Sequence, residues 1–353
     1  MTLNHTMFRT EFVKSDNQKF SAYWNELAAS GEPRNPLYNI TTTTNSLLPF
    51  EPKNLLKRTS IIEKLSSMAN EGDFSFVLLE NDEPILACSL LLTSDADGQR
   101  RLGYRGLGAA THFSRSALNS GSNNISSTSF ATLTNYIRRL INKLEPDTIE
   151  FQDTLSCGVM SPISQYLIAS GGLPIFSTAR LLDLAASSQS LLRDTSMAVR
   201  GRIQWSHRNL QLTVNSDNLA LYDYLKFYDL AQSSNTCETG VSLWQSNHDL
   251  KLLLQKKLGF LVSATHQGCQ VGAAVFAYQN GAAQYLGCQT DSASLQKKII
   301  ASLVWRGVMH AKEAGCDELI LDHHFDLCSQ SLIDFDGFGG KSVPRVKVLW
   351  RKG

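Results

Sequence analysis

Two stretches of this chain finish in the same way, and that repetition limits what the chain can fold into. Residues 168–184, IASGGLPIFSTARLLDL, read as a helix end, a glycine pair (Gly171, Gly172) and a strand. Residues 334–350, DFDGFGGKSVPRVKVLW, read as a short helix end, a glycine pair (Gly339, Gly340) and a closing strand. The segments upstream repeat as well. Residues 258–290 hold three apolar runs separated by turn signals at Gln267-Gly268 and Asn280-Gly281. Asn-Gly between such runs is a strong hairpin signal, because both turn residues take positive φ. Next comes an amphipathic helix with Ile299, Ile300, Leu303, Val304, Val308 and Met309 on one face. Ser292 or Ser294 is positioned to cap its start and Gly315 to end it. The strand DELILDH follows.

The first half gives the same order. Residues 74–106 form three runs with turns at Asn81-Asp82 and Asp97-Gly98. A Ser/Asn-rich loop, a helix (FATLTNYIRRLINKL), a strand (DTIEFQD), a helix (SPISQYLIASG) and a strand follow. The two series are offset by roughly 170–185 residues, so the chain is expected to carry one α+β unit twice. Each unit also opens on a helical region, at 20–31 and 219–234. The expected fold class is α+β, with two tandem domains, 1–190 and 191–353. Each is expected to be a mixed, mostly antiparallel sheet flanked by helices. A chain of 353 residues suits two cores better than one. The join, 183–212, reads as a capped helix bearing Arg193, Arg200, Arg202 and Arg208, either a solvated basic linker or a phosphate-facing helix.

Charge excludes some functions. The formal net charge is +1, so no global field favours DNA or an anionic membrane. No 18-residue apolar run predicts a membrane span, and the N-terminus lacks the basic-then-apolar pattern of a signal peptide. Seven cysteines without CxxC spacing predict buried, reduced thiols of a cytoplasmic protein, not a disulfide or zinc framework.

The strand order, repeated in tandem, resembles the Gcn5-related N-acetyltransferase (GNAT) superfold, and its tandem form resembles the FemAB-like acyltransferases with their BioF2-like branch. Three stretches carry the likeness. The junction LLDLAASSQSLLRDTSMAVRGRIQWSHR is similar to the family's strand ending in Asp-Leu, helix and Arg-x-x-Ile-type segment, here Arg200-Gly201-Arg202-Ile203. The segment 282–322 is similar to the family's Tyr-bearing strand, amphipathic helix and apolar strand ending in Asp. LIDFDGFGGK resembles the Phe-Lys-x-x-Phe-Gly signature. The chain departs from that signature at Asp336, where the family often has a lysine placed to stabilise the acyl oxyanion. An acidic residue cannot do so, and Lys341 is the nearby substitute. The long charged helical hairpin of tRNA-using members is absent, and no basic block offers a tRNA track.

The resemblance implies acyl transfer from a thioester, acyl-CoA or acyl carrier protein, to an amine on an amino sugar or peptide of cell-envelope metabolism. It implies a ternary complex with no tightly bound cofactor. Two alternatives stand beside it: a FemAB-type aminoacyltransferase using aminoacyl-tRNA on a peptidoglycan precursor, and a non-catalytic binding protein. The candidate residues follow. Arg105, Gly108 and Ala110 fit an Arg-x-x-Gly-x-Ala pyrophosphate loop, or else a strand end that needs glycines for its exit. Asp322, His323, His324 and Asp326 sit where a strand ends, a usual place for ligands in open sheets. A histidine there could take the amine's proton, or the group could be structural. No metal is expected. Tyr285 could protonate a leaving thiolate or bind the acceptor, or be an ordinary strand residue. Arg200, Arg202 and Lys341 complete the candidate donor-binding set. Trp205, Trp305 and Trp350 are expected to pack. Cys288 and Cys328, without a paired histidine, are not expected to be nucleophiles. The loop 31–45 is expected to border the acceptor site.

Overall fold

A computed structural model describes residues 10–14, 19, 22, 72–80, 83–94, 98–103, 109–113, 127–154, 160–216, 254, 257–279, 281–290, 295–321 and 335–352. They divide into two compact units that are not contiguous in sequence. One comprises 1–34, 46–177 and 344–353, and the other 35–45 and 178–343. The sequence suggests a cut near 190. In the structure the closing strand of each repeat is instead counted with the other repeat's unit.

In the first unit, β1 (Thr10–Lys14) pairs antiparallel with β3 (Phe76–Glu80), and β3 with β4 (Glu83–Ser89). β4 pairs antiparallel with β7 (Ala109–Phe113), and β7 parallel with β8 (Thr148–Thr154). The short strands β2 (Gly72–Asp73), β5 (Leu91–Ser94) and β6 (Arg100–Gly103) extend this ladder, with β6 also parallel to β8. Helices α1 (Ser127–Leu144) and α2 (Pro162–Ala169) supply Leu133, Ile137, Leu140, Ile163 and Leu167 to a core shared with Phe76, Leu86, Ile149 and Phe151. Fully burying such side chains contributes about 1.5–3 kcal/mol each. α2 starts where Ser161 Oγ accepts from the Ser164 N–H at 3.1 Å. Asp153 Oδ2 in turn accepts from the Ser161 N–H at 2.7 Å, which anchors the helix start to β8.

The last strand of this sheet is the end of the chain. β15 (Lys341–Arg351) pairs antiparallel with β8 from Arg345 onward. Val346 and Val348 enter the core, and on the opposite face the buried Lys347 reaches Glu150 at 3.3 Å. Gly172 is required here by space: a Cβ would lie 2.8 Å from both the Leu167 carbonyl oxygen and Val348 Cγ1.

The second unit repeats the pattern. β10 (Gln211–Asn215), β11 (Gly259–His266), β12 (Cys269–Gln279) and β13 (Ala282–Thr290) are antiparallel neighbours in order. β13 is parallel to β14 (Glu318–Leu321), and β14 is antiparallel to β9 (Leu173–Asp183). Both units thus run antiparallel, antiparallel, antiparallel, parallel, antiparallel, as expected of a duplicated GNAT-like sheet. The hairpin at Gln267 (φ 51°) and Gly268 (φ 81°) has the two positive φ values its sequence predicts.

Helix α3 (Ser188–Asp194), helix α4 (Met197–Asn209) and helix α5 (Gln296–Glu313) belong to this unit. Gly315, at φ 83°, ends α5 as expected. Ser292 and Ser294 lie outside the described residues, and the N-cap is Leu295, with no side-chain cap. Gly307 lies within α5, where helix propensity opposes it. The reason is Phe276, whose ring atoms stand 2.1–2.7 Å from where a Cβ would be. The second glycine pair is also explained by close approach. A Cβ on Gly339 (φ 78°) would lie 2.7 Å from the Asp194 carbonyl oxygen, and one on Gly340 (φ 76°) 2.6 Å from that of Leu181.

Candidate active site

Among the described residues β13 and β14 pair in parallel over Ala282–Gln284 and Glu318–Ile320. β13 continues to Thr290, beyond the described part of β14. A bulge falls at this point. Val275 faces Gly287 and Phe276 faces Tyr285, which makes Leu286 the extra residue on β13. Such bulges bend a strand and re-aim its side chains. Here the bulge puts Tyr285 and Cys288, three residues apart, into the same core cluster. The extra residue Leu286 lies two positions past Gln284, the last described partner of β14, so the backbone of β13 turns just beyond that pairing.

β13 leads into α5. The first turn of α5 carries Lys297 and Lys298, with no acidic residue and no capping side chain. Lysines there oppose the helix dipole and leave the N-terminus strongly positive. Lys298 Nζ lies 4.9 Å from the Trp205 ring centroid, which ties this turn to α4.

Tyr285 is 3 % exposed and packs edge-on against Phe276 (5.5 Å) and Phe335 (5.3 Å). Phe335 opens the 3-10 turn Phe335–Phe338. The next residue, Asp336, accepts from Arg180 Nε at 2.7 Å. At the position where the resemblance implies a lysine, this chain has a carboxylate held by an arginine from β9. Sequence reasoning missed Arg180. Its only signal is a lone cation inside the apolar run of 179–182. It also missed Gln284, which is 1 % exposed, with an Oε1 that accepts no hydrogen bond among the described residues. Gln284 stands at the last described position of the parallel pairing, and a buried amide oxygen without a donor is costly.

The remaining candidates are placed as follows. Arg200 lies on α4, where its Nη2 donates to the carbonyl oxygens of Arg193 (2.8 Å) and Thr195 (2.9 Å). Its guanidinium thereby closes the C-terminal end of α3. Arg202 is half-buried on α4, one turn before Trp205, and Lys341 is exposed at the start of β15. Asp322, His323, His324, Asp326, Arg105, Gly108, Cys328 and the loop 31–45 lie outside the described residues. Asp322 directly follows Leu321, the last residue of β14. Among the described residues no three His, Cys, Asp or Glu side chains form a metal-binding group, and no helix is long and apolar enough to cross a membrane.

Cys88, Cys269, Cys288 and Cys316 are free thiols. Cys269 is exposed, contrary to the expectation of buried thiols, while the other three are buried. Burial, with Asp153 as a smaller contribution, pushes the Cys88 thiol well up. Burial, helped by Asp317, pushes Cys316 up to about 11. Both shifts oppose thiolate formation, so neither group is an activated nucleophile.

No family model matches the sequence, and no curated protein is similar to it. Solved structures do match. FemX is 9 % identical over 98 % of this chain and 97 % of its own, with a TM-score of 0.57. A tandem GNAT protein from the clavulanic acid biosynthesis pathway, solved without AcCoA, is 12 % identical over 98 % of this chain and 99 % of its own, with a TM-score of 0.54. With the duplicated strand order in place, these likenesses show a tandem GNAT-type fold, similar to the folds of FemX and of the clavulanic acid pathway protein.

Proposed function

We propose that the protein moves an acyl group from a thioester donor, acyl-CoA or acyl carrier protein, to an amine acceptor. One observation carries the reading: β13 bulges just past its described pairing with β14 and then leads towards a helix whose first turn is uncapped and lysine-bearing. A helix N-terminus of that kind suits the phosphates of the donor, whose contacts would come from the N–H groups of the first turn with Lys297 and Lys298. Arg202, one turn before the Trp205 that Lys298 covers, joins this set. The thioester would then lie along β13, beyond its described pairing with β14. A backbone N–H near Leu286 would polarise its carbonyl, a contact that strengthens as the oxygen becomes an oxyanion.

The amine attacks the carbonyl carbon, the C–N bond forms and the C–S bond breaks. The amine's proton goes to a base, and the departing thiolate takes up a proton. His323 and His324, two and three residues past the end of β14, stand as the base candidates, with Asp322 beside them. Tyr285 serves as proton donor to the thiolate from the core side of β13. The acceptor class in this reading is an amino sugar or a peptide.

A second reading is supported by the likeness to FemX: transfer of an aminoacyl group from aminoacyl-tRNA to a peptidoglycan-type peptide. Thermal shift of the full chain separates the two. Acetyl-CoA, longer acyl-CoAs and CoA should each raise Tm, and replacing Lys297 and Lys298 together by Ala should remove the effect. No shift with any of them, together with binding of aminoacyl-tRNA, would favour the second reading.

A further inference from the structure

Arg180 stands level with the end of the described β13–β14 pairing. Its Cα partner is Leu321, the last residue of β14, one position beyond the final parallel pair of Gln284 and Ile320. Residues two apart on a strand share a face. Arg180 therefore leaves the sheet on the same side as Leu182, which belongs to the core cluster containing Tyr285 and Phe335. A continuous path of contacts follows: Tyr285 against Phe335, Phe335 beside Asp336 in the 3-10 turn, and Asp336 on Arg180.

The pair is asymmetric. Asp336 Oδ1 accepts from Arg180 Nε at 2.7 Å. The two terminal nitrogens of Arg180 make no hydrogen bond among the described residues. The guanidinium is held at its inner edge and open at its outer fork, with 22 % of the Arg180 side chain and 68 % of the Asp336 side chain exposed. A planar fork of two N–H groups matches a carboxylate bidentately. A phosphate dianion fits less well, since it would meet the negative charge of Asp336. The carboxylate-free first turn of α5 is the better place for phosphate.

We infer that Arg180 binds the carboxylate of the acceptor, and that the acceptor is therefore an amine that also carries a carboxylate, an amino acid or a peptide with a free C-terminus. The inference rests on the proposed acyl transfer to an amine. Arg180 is a binding residue, and Asp336 a positioning residue that holds Nε while the outer fork engages the ligand.

The test uses the full chain and calorimetric titration of dipeptides with free C-terminal carboxylates against the same dipeptides amidated, with and without acetyl-CoA. Wild type should prefer the acids. Arg180→Gln should weaken acid binding roughly ten- to hundredfold, the range of a lost charge-assisted pair. Arg180→Lys should fall between, because it keeps the charge and loses the fork. Asp336→Asn should tighten acid binding a few-fold, because it keeps an oxygen for Nε and removes the neighbouring charge. Acetyl-CoA binding should be the same in all four proteins, and circular dichroism should show each to be folded. Equal binding of acids and amides, no binding of any acid by wild type, or acid binding that survives Arg180→Gln would each overturn the inference. Failure of wild type to bind acetyl-CoA would instead count against the proposed thioester donor, and the acid-versus-amide comparison made without donor would still decide the role of Arg180.

Discussion

Gly340 combines two demands on one residue. Its φ of 76° is the left-handed region that L side chains rarely adopt, and a Cβ would sit 2.6 Å from the Leu181 carbonyl oxygen on β9. Backbone cannot yield as a side-chain tip can. Gly340→Ala should therefore cost about 1–3 kcal/mol by denaturant melt, from strain and forced displacement together. Cys316 gives a pH-dependent counterpart. Its thiol is raised to about 11 in the fold from an ordinary value of 9.0, so the folded state holds the proton more tightly than the unfolded state. The resulting stability is fully present below about 9 and is lost as pH rises through about 11. Cys316→Ala should flatten the fall of Tm between pH 9 and 11 relative to wild type, and an unchanged slope would contradict the shift. The glycine pairs can be read in the sequence because glycine is the one residue that tolerates such positions. Arg180 cannot: a lone arginine in an apolar strand gives no indication that Asp336, 156 positions away, holds it.

At the scale of elements, the α3–α4 junction depends on one side chain. α3 has seven residues, too few to be stable alone. Its C-terminal carbonyls are covered by the Arg200 guanidinium, with Thr195 Oγ1 adding a bond to Leu192 O at 2.7 Å. Arg200→Ala should lower stability by about 1 kcal/mol, the lower part of the range for hydrogen bonds to a charged group because the contacts are partly solvated. Arg202→Ala should leave Tm within experimental scatter and act instead on donor affinity. If Arg200→Ala leaves Tm unchanged and weakens donor binding, the capping role is wrong and the phosphate-facing reading of this helix gains. Sequence periodicity locates α5 and its glycine stop, since apolar spacing and a C-terminal glycine are local signals. It does not locate the helix start, because Leu295 offers no capping chemistry to recognise. Nor does it account for Gly307, whose reason is a phenyl ring on another element.

At the scale of the molecule, the repeat is the most readable feature. Both units share a six-strand path with a parallel pair next to the closing strand, the first unit adding β2, β5 and β6, and in the second half the turns between strands are written as Gln-Gly and Asn-Gly. What the repeat conceals is ownership of its closing strands. β15 completes the sheet that contains β8, and the second part of β9 completes the one that contains β14. Strand pairing at such separations carries no local sequence signature, since an apolar strand such as VKVLW fits the edge of either sheet. The proposed activity is transfer of an acyl group from a thioester directly to an amine. The most direct measurement is a single-turnover assay of thiol release from acetyl-CoA, with the full chain in excess and a free-acid dipeptide present or omitted. Direct transfer should release one thiol per N-acetylated dipeptide formed, none without the amine, and leave no acetylated protein by intact mass. Thiol release without the amine, accompanied by a stable acetyl adduct on the protein, would contradict direct transfer, and no release under either condition would contradict the thioester donor.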